Sequence, residues 1–129
     1  MGENEITDEG MLMICNNMPQ LKKLFLNHNK ISDNGLVEMG RLSQLICLDL
    51  RCNLITDQGL EYVGKLVSLT QLSLSNNSIT DNGVAHIANL KQLKYLDITS
   101  NKISGKGGIL MTNLKLLNNL YLSHNKING

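Results

Sequence analysis

Few side chains in this 129-residue sequence could attack a bond, shuttle a proton or hold a metal: Cys15, Cys47, Cys52, His28, His86, His124 and scattered carboxylates. A cysteine and a histidine close enough to share a proton make an activated nucleophile. His28 and Cys52 occupy equivalent places one 24-residue interval apart, so they are expected as neighbours on adjacent strands, in plain surface contact. His28 and His124 stand four such intervals apart, roughly 19 Å at the strand spacing, too far to share a metal or a substrate atom. His86 falls in a segment of helical rhythm. Asp49 and Asp97, with Ser73 between them, lie two intervals or roughly 10 Å apart. That spacing overlaps the wide end of an inverting glycosidase pair, but an open curved sheet offers no pocket to desolvate one acid. Cys47 and Cys52 are roughly 16 Å apart along an extended strand, too far for a disulfide. An odd cysteine count without CxxC spacing argues against zinc and against a disulfide framework. The expectation is no catalysis, no metal, no cofactor and a reducing compartment.

The interval that ties these positions together runs through the chain. The stretch "LICLDLRCNLITDQG" from Leu45 returns as "LKKLFLNHNKIS" from Leu21, "LTQLSLSNNSIT" from Leu69, "LKYLDITSNKIS" from Leu93 and "LNNLYLSHNKIN" from Leu117. An unbroken period in this range signals a solenoid, whose units cannot close a core alone and so stack on their neighbours. Alternate side chains of a strand point to opposite faces, which puts Leu48 and Leu50 inside and Cys47, Asp49 and Arg51 outside. Beyond the strand the chain must bend, and Asn29, Asn53, Asn77, Asn101 and Asn125 occupy the bend. A carboxamide offers donors and an acceptor to backbone groups freed where a strand ends, so these five are expected to form a structural ladder.

The second half of each unit changes rhythm. In "SDNGLVEMGRL", "TDQGLEYVGKL" and "TDNGVAHIANL", the residues Leu36/Met39/Gly40, Leu60/Val63/Gly64 and Val84/Ile87/Ala88 share one helical face. Asp33, Asp57 and Asp81 are expected as helix N-caps. The small residues Gly40, Gly64 and Ala88 are expected to let each helix lie close to the strand layer. The fourth unit, "SGKGGILMTNL", has Gly105 in place of the aspartate and Gly107-Gly108 behind it, and is expected to be the loosest.

The pattern L-x-x-L-x-L-x-x-N-x-I resembles that of the leucine-rich repeat family over nearly the whole chain. The 24-residue period and the phrase I-[ST]-D-x-G are similar to bacterial GALA-type repeats and to the cysteine-containing and ribonuclease-inhibitor-like classes. The resemblance implies an α/β solenoid with five short parallel strands on the concave face and helices on the convex face. It also implies a protein-binding arm. GALA-type arms are sometimes joined to an F-box, but no F-box-like helical segment stands in this sequence, so a ubiquitin-ligase link has no support. The domain expected is single, over 1–129, with a partial repeat in 1–20 and units starting at 21, 45, 69, 93 and 117. "NEITDEG" at Asn4 to Gly10 matches the middle of a later unit, and "HNKING" stops before any helix. The expectation is excision from a longer array, or end-to-end self-association through uncapped terminal repeats.

Composition narrows the partners. A net charge of +1, with both signs interspersed, gives no footprint for nucleic acid or for an anionic membrane. No run reaches the roughly 18 apolar residues of a membrane span, and the first ten residues do not read as a signal peptide. A cytoplasmic protein, or one delivered into a host cell as an effector, is expected. The chain reads as a non-catalytic module that binds a protein on its concave face, as part of an adaptor or bacterial effector. The alternative is a structural spacer or capping segment of a larger repeat protein, whose concave face would be uniformly small and polar. Instead the concave rows carry Phe25, His28, Asp49, Arg51, Ser73, Tyr95, Asp97 and Tyr121, among them residue types enriched at interface hot spots. They are expected as two patches, Phe25 with His28 and Arg51, and Tyr95 with Asp97 and Tyr121.

Overall fold

Each L-x-x-L-x-L phrase yields one three-residue strand: β1 (Lys23–Phe25), β2 (Cys47–Asp49), β3 (Gln71–Ser73), β4 (Tyr95–Asp97) and β5 (Asn119–Tyr121). The structure, a computed structural model, describes residues 5–127. The strands pair in chain order as one parallel sheet, and the register advances by one repeat at every step, so that Phe25, Asp49, Ser73, Asp97 and Tyr121 stand side by side. Strand alternation turns Leu24, Leu48, Leu72 and Leu96 into the core, with Leu26, Leu50, Leu74 and Ile98 behind them, all buried. Ile31, Ile55, Ile79 and Ile103 close the same core from the far side of the bend.

The bend is made by one residue in the left-handed region in every unit: His28, Cys52, Asn76, Ser100 and His124, with φ between 56° and 60°. That conformation is unfavourable for a residue with a Cβ. Bonds between repeats hold it, His28 N donating to Arg51 O and Cys52 N to Ser75 O, both at 2.9 Å. The asparagine that follows links three segments. Asn77 Oδ1 accepts from Ile55 N of the preceding unit at 2.9 Å, while its Nδ2 donates to Leu50 O and Leu74 O. Asn53, Asn101 and Asn125 make the same set, and Asn29 Oδ1 accepts from Ile6 N. Asn4, which stands one unit earlier in the sequence pattern, lies outside the described residues.

The convex side carries α1 (Asp8–Asn17), α2 (Asp57–Val63), α3 (Asp81–Ile87) and α4 (Gly105–Leu110). The segment expected as a helix after Ser32 is instead two 3-10 turns, Asp33–Leu36 and Met39–Arg41. Val37 stands there where α2 has Glu61 and α3 has Ala85, and a β-branched side chain that is 45% exposed weakens the helix without packing to compensate.

The aspartates do not cap their own helices. The N-caps are Ser32, Thr56 and Thr80, in extended conformation, and Asp33, Asp57 and Asp81 are each the first residue of the helical turn that follows. Its carboxylate reaches forward to the next repeat: Asp57 Oδ1 accepts from Thr80 N and Oδ2 from the Thr80 hydroxyl. Asp8 serves Ser32, Asp33 serves Thr56 and Asp81 serves Ser104 in the same way. This second ladder accounts for the I-[ST]-D-x-G phrase, because Gly83 lies under the incoming carboxylate and a Cβ there would stand 2.5 Å from Asp57 Oδ1. The Ser104 hydroxyl bond, with amide bonds from Ser104 and Gly107, holds the Asp81 carboxyl below its usual range. A carboxyl lowered on folding contributes its stability above its unfolded pKa and loses it as the pH falls through the folded value.

Gly64 also has a different reason from the one expected. A Cβ on it would lie 2.7 Å from His86 O, so its smallness makes room for α3 of the next repeat, whereas Gly40 meets nothing closer than 4.0 Å. In the fourth unit a short helix does form, and Gly108 has open space around its missing Cβ. Gly108→Ala is therefore expected to stabilise the protein by about 0.5–1 kcal/mol through helix propensity alone. Thermal melting checks this, and a lowered Tm would contradict the open geometry.

Candidate functional site

The concave sheet places side chains in fixed rows, and their chemistry differs from one repeat to the next. On β2, Asp49 is 6% exposed and accepts a forked pair of bonds from Arg51, Nε to Oδ1 at 3.0 Å and Nη2 to Oδ2 at 2.8 Å. Residues two apart on a strand share a face, which is why Asp-x-Arg closes on itself here. The bond to Asp49 raises the Arg51 guanidinium above its ordinary pKa, and the carboxylate is thereby committed to a partner within the chain. On β4 and β5, Tyr95 and Tyr121 meet with ring centroids 5.5 Å apart and planes tilted by 52°. Partial burial, with the Asp97 carboxylate beside it, pushes the Tyr95 phenol up. Phe25 and Tyr121, at opposite ends of their row, are 46% and 45% exposed.

Phe25 and Arg51 of the first expected patch share a depression with Tyr95 of the second. Phe25, Cys47, Asp49, Arg51, Gln71, Ser73 and Tyr95 line one shallow, open depression of about 280 Å³. Tyr121 extends it through its contact with Tyr95. The depression is open, and the acid that lines it, Asp49, is paired with Arg51 and not left to act as a proton donor. His28 sits exposed at the bend and does not line the depression. A second, apolar depression of about 270 Å³ lies at the free edge of β1, between Ile14, Met18, Leu21 and Phe25.

The chemistry weighed from the sequence does not assemble among the described residues. His28 and Cys52 occupy successive bends with no hydrogen bond between them. The Cys47 thiol instead donates to Gln71 Oε1 at 3.3 Å, and burial pushes it up, with Lys23 pulling weakly the other way. A thiol held protonated is a poor nucleophile. No group of three or more His, Cys, Asp or Glu among the described residues could hold a metal ion. The Asp49–Arg51 fork and the Cys47–Gln71 contact were the functional-face features that spacing left unassigned. Their signal was the i, i+2 rule for the first and the 24-residue register for the second.

A parallel sheet built from one strand per repeat, with an amide ladder at each bend and helices on the opposite side, defines an α/β repeat solenoid. The chain belongs to the leucine-rich repeat family. A model of that family, leucine rich repeat, matches residues 67–127, and a second with the same description matches 1–15, 17–40 and 43–64. No curated protein matches the chain. Among solved structures it is similar to an internalin (inlF) from Listeria monocytogenes, with 32% identity over 98% of this chain and 34% of that one, TM-score 0.87. It is also similar to internalin C2 of the same bacterium, with 26% identity over 100% of this chain and 62% of that one, TM-score 0.73. A plant peptide hormone receptor, RGFR1 in complex with RGF2, shares the fold, with 24% identity, 87% of this chain, 18% of that one and TM-score 0.62. The chain thus spans about a third of the first internalin's length. No helix among the described residues is long and apolar enough to cross a membrane.

Proposed function

We propose that this chain is a non-catalytic module that binds a protein partner on its concave face. The observation that carries the reading is the exposed aromatic side chains on a rigid sheet, Phe25 at one end and the Tyr95–Tyr121 pair at the other, where nothing in the fold calls for aromatics. Rigid rings supply contact area with little loss of side-chain freedom, which is why tyrosines serve as anchors. The contact residues are Phe25, Asp49, Arg51, Ser73, Tyr95, Asp97 and Tyr121, with His28 at the rim. A structural spacer would need none of them. The likeness to two bacterial internalins supports placing the module in an adaptor or a bacterial effector.

The test begins with capture and identification of a partner from a matched cell extract, followed by titration of the purified pair. Tyr95→Ala combined with Tyr121→Ala is expected to weaken binding by about tenfold or more while leaving Tm nearly unchanged. Glu61→Ala and Lys91→Ala, both on exposed positions away from the sheet, are expected to do neither. Unaltered affinity in the double variant, or loss of binding from the convex changes, would move the site off the concave face.

A further inference from the structure

Repeats two and four place the same carboxylate at the same point of the sheet and equip it differently. Asp49 and Asp97 are in register through Ser73, one position along each strand. Both turn one oxygen onto the amide two residues on, Asp49 Oδ1 accepting from Arg51 N at 3.0 Å and Asp97 Oδ1 from Thr99 N at 3.1 Å. In repeat two that next residue brings a guanidinium, which forks both oxygens of Asp49. In repeat four it is Thr99, and among the described residues no cation bonds to Asp97. Arg51 senses the charge of Asp97, but its fork is engaged by Asp49.

Two aromatic rings flank the unpaired carboxylate. Tyr121 is the register partner of Asp97 on β5, and Tyr95 lies two residues back on the same face of β4. The rings lean together at 5.5 Å, and Tyr121 remains 45% exposed. A ring face attracts a cation through its quadrupole, and a carboxylate attracts it by charge. A guanidinium satisfies both at once, since its plane stacks on a ring while its edge forks the two oxygens, and a compact ammonium does not.

We propose that Tyr95, Asp97 and Tyr121 form a subsite for an arginine side chain of the protein partner, its guanidinium taking on Asp97 the place that Arg51 takes on Asp49. The subsite rests on the concave-face reading above and specifies the chemistry that face selects. It makes the concave surface complementary to a basic residue at its β4–β5 end, whereas the charge at the β2 end is already balanced within the chain.

The probe is N-acetyl-arginine methylamide, titrated into the isotope-labelled full chain and followed by amide NMR. Saturable shifts in the millimolar range, centred on Tyr95, Asp97, Thr99 and Tyr121, are expected, with the isosteric but uncharged citrulline compound about tenfold weaker or worse. Asp97→Asn keeps the acceptor for Thr99 N and is expected to abolish saturation. Thr99→Arg rebuilds the arrangement of repeat two, and is expected to fill the subsite from within the chain and block the probe while the protein melts no lower than wild type. Absence of saturable shifts, shifts centred on Asp49, equal binding of the citrulline compound, or undiminished binding by either variant overturns the subsite. Failure of the concave reading shows separately: the probe would bind as described while the Tyr95→Ala, Tyr121→Ala variant kept its full affinity for the partner.

Discussion

Replacing Asn53 by leucine is expected to destabilise the protein by about 3 kcal/mol, although the two side chains have the same number and branching of heavy atoms and the site is buried. The loss is polar. Asn53 Oδ1 accepts from Ile31 N at 3.0 Å, and its Nδ2 donates to Leu26 O, Leu50 O and Arg51 O at 2.9–3.2 Å. The three carbonyls keep other partners, since Leu26 O also accepts from Asn29 Nδ2, Leu50 O from Asn77 Nδ2 and Arg51 O from His28 N. The Ile31 amide has no such reserve among the described residues, and Ile31 is fully buried. An orphaned buried donor costs about 1–3 kcal/mol, and the lost bonds to the carbonyls add to it. Urea unfolding would register this as a fall in the midpoint at constant slope, and hydrogen exchange would register faster exchange at Ile31. Asn82→Leu, on an exposed helical position, is the control and should stay within about 0.5 kcal/mol of wild type. If Asn53→Leu unfolds at the same midpoint, the amide ladder does not hold the bends.

The second large effect belongs to the aspartate ladder. A methyl group at Gly83 would stand 2.5 Å from Asp57 Oδ1, 3.0 Å from Ile79 Cγ2 and 3.1 Å from Leu60 Cδ1. The carboxylate must withdraw, and its bonds to Thr80 N and to the Thr80 hydroxyl weaken with it. Overpacking together with weakened hydrogen bonds places the cost of Gly83→Ala at about 2–3 kcal/mol, the opposite sign from Gly108→Ala in the next helix. A double-mutant cycle separates the carboxylate from the general crowding. In an Asp57→Ala background the oxygen is gone while the Ile79 and Leu60 contacts remain, so the cost of Gly83→Ala should drop by at least about 1 kcal/mol. Additive costs would mean that the glycine is required for some reason other than the carboxylate above it.

The amino-acid sequence by itself determined the repeat, the strands, their order and the inward face of each. The physical reason is local and periodic: a strand alternates every two residues, and a unit that cannot bury Leu48 and Leu50 alone must stack at a fixed interval. The bend was legible for the same reason, because a carboxamide recurring where strands end has few other uses. Tertiary structure decided what crosses from one repeat to another. Asp57 belongs to one unit and the hydroxyl it holds, on Thr80, belongs to the next, so a reading within one unit assigned the carboxylate to its own helix. The spacing points Gly64 at the strand layer beneath it, whereas the atom that excludes a side chain there, His86 O, belongs to the neighbouring helix. The candidate site divides along the same line. Its rows follow from the register, but the closure of Arg51 onto Asp49, the joining of Phe25 and Tyr95 in one depression and the absence, among the described residues, of a matching cation at Asp97 depend on side-chain direction and reach, which spacing alone leaves open.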